Sequence, residues 1–378
     1  MPPETGIRFR SLDSLRGICA LAVVIWHWQH LWLLGTPTLT ILLAKGIDRP
    51  SQPFYVPLKL AYEHGYLAVT MFFIISGFIF FHLYEWKIRQ GSMRPYAFAV
   101  LRFSRLYPLH FATLVVVAIL QFLFFGHTGQ YFVYPANDPL HFVASLAFVQ
   151  LINDQAAFNG PTWSLTIEIL MYGLFYLLAR RGYLAGFGGA FAAFCLGIGL
   201  VALSDSLAQG LLGFFGGGLV YRLYCRTKAS TNPHFWFLVV LLGVAAGWLI
   251  VGAFIYSDNA LDVIFLPLKY GRHIIPNLLV TCGLFPLTVL MCALHEHIYK
   301  LKYTGFVWLG NISYSSYLIH FPMQLCVAIA FYLDIVSLDT IRSSIMFLTF
   351  FGGLIVLSTL VYAKFELPAQ TRLRKILM

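Results

Sequence analysis

Apolar residues in this chain gather into long unbroken runs rather than alternating with polar ones, the pattern of helices buried on all sides. A bilayer-spanning helix needs about 20 predominantly apolar residues, with a range near 17–25. Ten runs approach that length, at 12–34, 64–84, 107–125, 162–179, 184–203, 209–224, 236–256, 274–294, 306–333 and 343–363. The predicted fold class is therefore all-α: a polytopic membrane helix bundle of about ten transmembrane helices. The run at 209–224 is short and carries Gly210, Gly213, Gly216, Gly217 and Gly218, small residues that let helices approach closely. The stretch from His141 to Ile152 is too short to span and reads as an interfacial or re-entrant segment. The first run is too long for a cleavable signal peptide and lacks a small-residue cleavage site. No soluble domain, linker or internal repeat is visible, so residues 1–378 read as one membrane domain.

Composition strengthens this picture. Apolar residues make up 59% and charged residues 11%, which excludes an ordinary soluble globule as well as a disordered chain. The net charge of +10 would point to nucleic acid in a soluble protein, but in a membrane protein it reads first as the positive-inside bias. Ten spans starting in the cytoplasm put 19 of the 25 Lys and Arg residues at cytoplasmic helix ends, with both termini inside. The partner this implies is the lipid bilayer, with no nucleic acid. The six cysteines lie in or beside apolar runs without CxxC or Cys/His spacing, and read as packing thiols with no metal.

Ionisable groups inside such runs cost roughly 2.5–3.5 kcal/mol each on insertion scales, so each asks for a reason. Arg16 and His27 are eleven residues apart on the first run, about 20° from a common face and about 16 Å apart along a helix. One stripe thus carries a permanent cation near the inner surface and an imidazole deep in the bilayer. Arg102 and Arg105 stand at the inner end of the third span, where they are positive-inside anchors or, with Arg16, a phosphate site. Trp163 sits at a helix start near the outer interface, and Glu168 lies deeper on the same helix. Ser313, Tyr317 and His320 share one face of the ninth span. By depth, His27, Glu168 and His320 fall at one level in the outer half.

At these residues the chain resembles the acyltransferase-3 family of integral membrane acyltransferases. The family's Arg-x10-His signature is matched by Arg16 and His27, and its FF-x-x-SGF segment by Phe72, Phe73, Ser76, Gly77 and Phe78. Arg102, Arg105, Leu106 and Pro108 match its arginine-rich element; Trp163, Ser164, Leu165 and Glu168 match W-S-L-x-x-E. The late element is matched by Leu309, Gly310, Ser313, Tyr314, Tyr317, Leu318 and His320, and the closing E-x-P by Glu366 and Pro368. Their order over nearly the whole chain makes the resemblance specific.

The resemblance implies an acyl-CoA donor, usually acetyl-CoA, and transfer to a hydroxyl of a carbohydrate such as an exopolysaccharide or O-antigen, from a multi-pass protein of the cell inner (cytoplasmic) membrane. On these residues His27, Glu168 and His320 are expected to be catalytic, His27 as general base or as a nucleophile forming an acyl-imidazole, and Glu168 as the group that orients His27 or, alternatively, binds the acceptor sugar. Arg16, Arg102 and Arg105 are expected to hold the donor's phosphates, and Trp163, Tyr317 and Ser76 to contact the acceptor. Some members carry a C-terminal SGNH-hydrolase-like domain, which is not expected here because the chain stops ten residues after Pro368. A secondary transporter or glycolipid flippase is the competing class, since buried His, Glu and Arg also mark proton relays; the paired broken helices and repeats of transporters are not detected. A structural scaffold has no need of the buried polar stripe. The charge asymmetry predicts that an impermeant thiol reagent added outside labels Thr128→Cys but not Arg181→Cys or Thr371→Cys. Outside labelling at position 181 contradicts the ten-span arrangement.

Overall fold

The computed structural model describes residues 8–39, 47–150, 158–201, 203–256, 274–300 and 305–378. The architecture is all-helical. In chain order the helices are α1 (Arg10–Trp28), α2 (Tyr55–Arg89), α3 (Pro95–Thr128), α4 (Pro139–Leu146), α5 (Gly160–Arg180) and α6 (Gly188–Leu200). They continue as α7 (Asp205–Lys228), α8 (Pro233–Tyr256), α9 (Asn277–Tyr299), α10 (Val307–Tyr332) and α11 (Ser344–Leu377). Local chemistry sets several starts. Asp138 caps α4 by accepting from the backbone N–H groups of Leu140 and His141, with Pro139 in the first turn, and Ser343 caps α11 at Met346.

Seven of these helices, α2, α3, α5, α8, α9, α10 and α11, are long and apolar enough to cross a membrane. The other three expected spans form α1, α6 and α7, which fall short for separate reasons. Helix α6 has 13 residues, a rise of roughly 20 Å against a hydrocarbon core of roughly 30 Å. Helix α1 carries Arg10, Asp13, Arg16 and His27 within 19 residues, and α7 combines its glycines with Arg222, Arg226 and Lys228. Among the described residues the structure therefore supports seven spanning helices, and ten with both termini inside is a proposal. Two expected boundaries also move. The stretch 35–63 between the first two apolar runs is already helical from Tyr55, and α3 begins at Pro95, so Arg102 and Arg105 lie inside a 34-residue helix and not at the inner end of a shorter one. Residues 151–157, which include the end of the expected short segment, lie outside the described residues; its first part is α4.

The chain folds into two compact units interleaved in sequence: Met1–Cys19, Leu67–Arg94 and Leu170–Gly310 form the first, and Ala20–Tyr66, Pro95–Ile169 and Asn311–Met378 the second. In the first unit the glycine-rich α7 lies directly on α2. A Cβ at Gly77 would land on the Phe214 carbonyl oxygen, and one at Gly217 on the Ile74 carbonyl oxygen. The motif glycine Gly77 is thus a point of backbone contact. Around it Phe80 stacks on Tyr172 with ring centroids 4.3 Å apart, and Phe81 packs on Phe175. A π-helical turn at Phe81–Glu85 carries the buried Glu85, which pairs with Arg89 at 3.0 Å and Arg222 at 3.2 Å.

The second unit has its own core, including Trp28, Leu31, Phe124, Phe132, Phe321 and Phe350. Trp28 is fully buried, with Phe347 and Phe350 edge-on at 5.1 and 5.2 Å. A second π-helical turn, Tyr362–Glu366 in α11, carries Glu366, whose carboxylate accepts from the Ser315 hydroxyl of α10 at 2.5 Å. The closing E-x-P element is therefore a tie between α11 and α10.

Because the α2–α7 contact is made by backbone, a side chain there must force the helices apart. Overpacking of this kind costs about 1–3 kcal/mol. Gly217→Val should lower the thermal midpoint of the detergent-purified protein. Gly252→Ala, in α8 where nothing lies within 4 Å of the added Cβ, should leave it unchanged. Equal midpoints for Gly217→Val and the native protein contradict the close contact.

Candidate active site

The polar residues of the second unit converge where α1 meets α10. The motif histidine His27 stands in the last turn of α1, after which the chain tightens into a 3-10 helix at Gln29–Leu33. Opposite it, α10 presents His320, Tyr317 and Gln324, all buried, with His320 and Gln324 fully so. The His27 and His320 rings are nearly parallel, with centroids 5.0 Å apart, and the Nδ1 of His27 lies 3.1 Å from the Nε2 of His320.

The Nδ1 of His320 is buried and has no hydrogen-bond partner among the described residues. Which ring donates depends on the tautomer, and in the tautomer where His27 donates from Nδ1 its Nε2 carries the lone pair. Among the described residues no partner engages that Nε2. His27 is the partly exposed member of the pair and His320 the enclosed one.

Gln324, which the sequence reading did not single out, and His30, a further ionisable group of the first apolar run, complete the cluster. Gln324 donates from Nε2 to the His27 carbonyl at 2.9 Å, and its Oε1 accepts from the His30 Nδ1–H at 3.0 Å. His30 packs beside His27 at 5.0 Å and is 3% exposed. The signal of Gln324 was present: Ser313, Tyr317, His320 and Gln324 run down α10 at spacings of four, three and four, a polar face in an apolar span. The three histidine rings bond to one another or to amides, and among the described residues no group of three or more His, Cys, Asp or Glu could hold a metal ion.

Other expected site residues fall into place around this centre. The Tyr317 hydroxyl donates to the Pro161 carbonyl at 2.7 Å, so the Ser164 hydroxyl is the donor across 2.8 Å to the Tyr317 oxygen. Asn159 donates to the Leu318 carbonyl at 3.1 Å. These bonds latch the start of α5, and with it Trp163, to α10. Glu168, one and a half turns further along α5, is close enough to act electrostatically on the Tyr317 hydroxyl. The His27 Nδ1 is engaged by His320 and not by Glu168. Tyr134 closes the cluster, its ring edge-on to His30 at 5.9 Å and against Phe321 at 4.8 Å.

The arginines divide between the two units. In the first, Arg16 donates from Nη2 to the Gly310 carbonyl at 2.7 Å and pairs with Asp13 at 3.3 Å. Gly310 permits this approach, since a Cβ there would land on the Asp13 carbonyl oxygen. Ser76 also belongs to the first unit, on α2 beside Gly77. In the second, Arg102 and Arg105 lie one turn apart on α3, and Arg374 of α11 donates to the intervening Ser104 at 3.2 Å. His110, deeper on α3, lies 2.9 Å through Nε2 from the Ser145 carbonyl of α4. An apolar cavity of about 580 Å³ in this unit, lined by residues that include Leu109, Thr113, Ile319, Met323 and Phe350, begins one residue from His320 but contributes no reactive group.

The acyltransferase domain that defines the acyltransferase-3 family (Acyl_transf_3) matches residues 9–363. Acyltransferase MdmB of Streptomyces mycarofaciens is 25% identical over 341 residues, 85% of this chain and 80% of that protein. Protein 2 in the picA locus of Rhizobium radiobacter is 34% identical over 117 residues, 31% of this chain; the chain matches 46% of that relative's length. No solved structure matches. With a family match running from the start of α1 into the second half of α11, the chain belongs to the acyltransferase-3 family of membrane acyltransferases.

Proposed function

We propose that the protein moves an acyl group, acetyl in the simplest case, from cytoplasmic acyl-CoA to a hydroxyl of an exported or cell-surface carbohydrate at the inner membrane. The observation that carries this reading is the His27–His320 pair, with one ring nitrogen open and the other anchored inside an apolar bundle. Acyl transfer to a hydroxyl needs a base that takes one proton and returns it to the leaving thiolate. In this reading the Nε2 of His27 removes the acceptor's proton as its oxygen attacks the thioester carbonyl. The tetrahedral intermediate then collapses, the C–S bond breaks, and the imidazolium of His27 protonates the sulfur. The products are the ester and free CoA. His320 accepts from the Nδ1–H of His27 throughout, holding the ring and its tautomer and sharing the transient positive charge.

Arg16, Arg102 and Arg105 are proposed to hold the donor's phosphates through charge-assisted hydrogen bonds. Asp13 and the Gly310 carbonyl already orient Arg16. Eleven residues of continuous α1 separate it from His27, about 16 Å, a length suited to a pantetheine arm. Trp163 offers an aromatic face to the acceptor sugar, and Glu168 a carboxylate for its hydroxyls or for the developing charge. Tyr317 acts chiefly as the latch that positions this helix start, and Ser76 is retained as an acceptor contact.

The direct test is binding of CoA to the purified protein. A ligand that binds only the folded state stabilises it by about 2.7 kcal/mol at a hundred times its Kd, so CoA should raise the thermal midpoint. A flippase or transporter of glycolipid should not respond, and the absence of a shift contradicts the proposal.

Variants separate the roles. His27→Ala should lower kcat by about 10²–10⁴-fold, the usual size of a general-base contribution, with little loss of CoA binding. Arg16→Ala should chiefly raise KM for acyl-CoA, and Arg16→Lys should recover part of the loss because it keeps charge without the guanidinium fork. CoA binding lost in His27→Ala but intact in Arg16→Ala reverses the assignment. Glu168→Gln keeps size and removes charge, so turnover should fall while the protein still folds; full turnover excludes Glu168 from the site.

A further inference from the structure

Gln324 reaches no substrate in the scheme above, yet it bonds to both ends of the segment that carries His27. The His27 carbonyl has no hydrogen of its own, so the amide must present its Nε2–H to that oxygen, at 2.9 Å. The Oε1 therefore faces His30, and His30 must donate from Nδ1, at 3.0 Å. No other orientation of the amide satisfies both contacts. The place is also where α1 gives way to the 3-10 helix at Gln29–Leu33. A helix end leaves backbone carbonyls without their usual partners, and in an apolar bundle each must find one. Gln324 supplies it, from a side chain with no solvent exposure.

We propose that Gln324 is the positioning residue of the histidine pair: its amide holds the His27 carbonyl and the His30 ring together and so sets the direction in which the open nitrogen of His27 points. The inference rests on the reading of His27 as the base. Gln324 and His320 sit one turn apart on α10, so a single helix face grips His27 twice, through its backbone and through its ring. His30 completes the arrangement by packing against the His27 ring, with centroids 5.0 Å apart. The titratable groups facing this cluster are His27 from α1, His30 from the 3-10 helix that follows it, His320 and Tyr317 from α10, Tyr134 from the segment before α4, and Glu168 from α5 through Tyr317.

The test uses full-length protein in detergent, with CoA release from acetyl-CoA as readout and a membrane extract of the producing cells as acceptor. Gln324→Leu removes both hydrogen bonds at similar size. It should lower kcat by about 10²-fold, the effect of a misplacement near 1 Å, while KM for acetyl-CoA stays near the native value. Gln324→Glu adds a readout that a merely structural residue would not move. A protonated carboxyl can still donate to the His27 carbonyl and accept from His30, whereas an ionised one cannot donate. The activity of Gln324→Glu relative to the native protein should therefore fall as pH rises. Native kcat in Gln324→Leu overturns the inference. Should that variant fail to fold, Gln324→Glu decides alone, and a ratio constant with pH, including complete loss throughout, overturns it. His27→Ala, run beside them, separates the two levels: native CoA release in that variant removes the proposed base itself, whereas its loss together with native behaviour of both Gln324 variants removes only the role of Gln324.

Discussion

The hydrogen bond between two imidazoles, His27 Nδ1 and His320 Nε2, is the interaction on which the site depends. In a membrane-spanning bundle a buried polar group has no water to turn to, so it is best bonded by protein. Two histidines from different helices meet part of that demand in each other, and the tautomer in which His27 donates leaves that ring with one open lone pair. The need to satisfy buried polar groups and the need for a directed base are met by the same bond. Gln324, His30 and the Tyr317–Ser164–Pro161 latch extend this logic outward.

Several motif residues turn out to serve architecture instead of chemistry. Gly77 and Gly310 are points where another backbone arrives at van der Waals distance, and Glu366 receives the Ser315 hydroxyl at a π-helical turn. Such residues hold the helices that carry the reactive groups, so a motif can extend well beyond the groups that touch substrate. The buried Glu85, between Arg89 and Arg222 at the equivalent kind of turn in α2, gives the first unit a similar internal tie.

Much of this was legible in the chain, in proportion to how local its cause was. The long apolar runs predicted the spanning helices α2, α3, α5, α8, α9, α10 and α11. The start of α3 was hidden because Pro95 to Leu106 interleaves arginines with aromatics, and its helicity accompanies packing against the end of α11, where Arg374 meets Ser104. Matching depths along α1 and α10 brought His27 and His320 to one level, but depth says nothing about which helices are neighbours, so the bond between them was not readable. Gln324 was within reach of the same helical spacing that picked out Tyr317 and His320. It does not stand out in the sequence because an amide carries no charge to mark its cost in the bilayer.

The central claim is that the reactive unit is a pair of histidines and not His27 alone. It is tested most directly by mass spectrometry of the cell-surface glycans of a strain lacking this gene, complemented with the native protein or with His320→Ala at matched membrane levels. The account predicts an acyl mass increment restored by the native protein and absent with His320→Ala. A full increment with His320→Ala contradicts it.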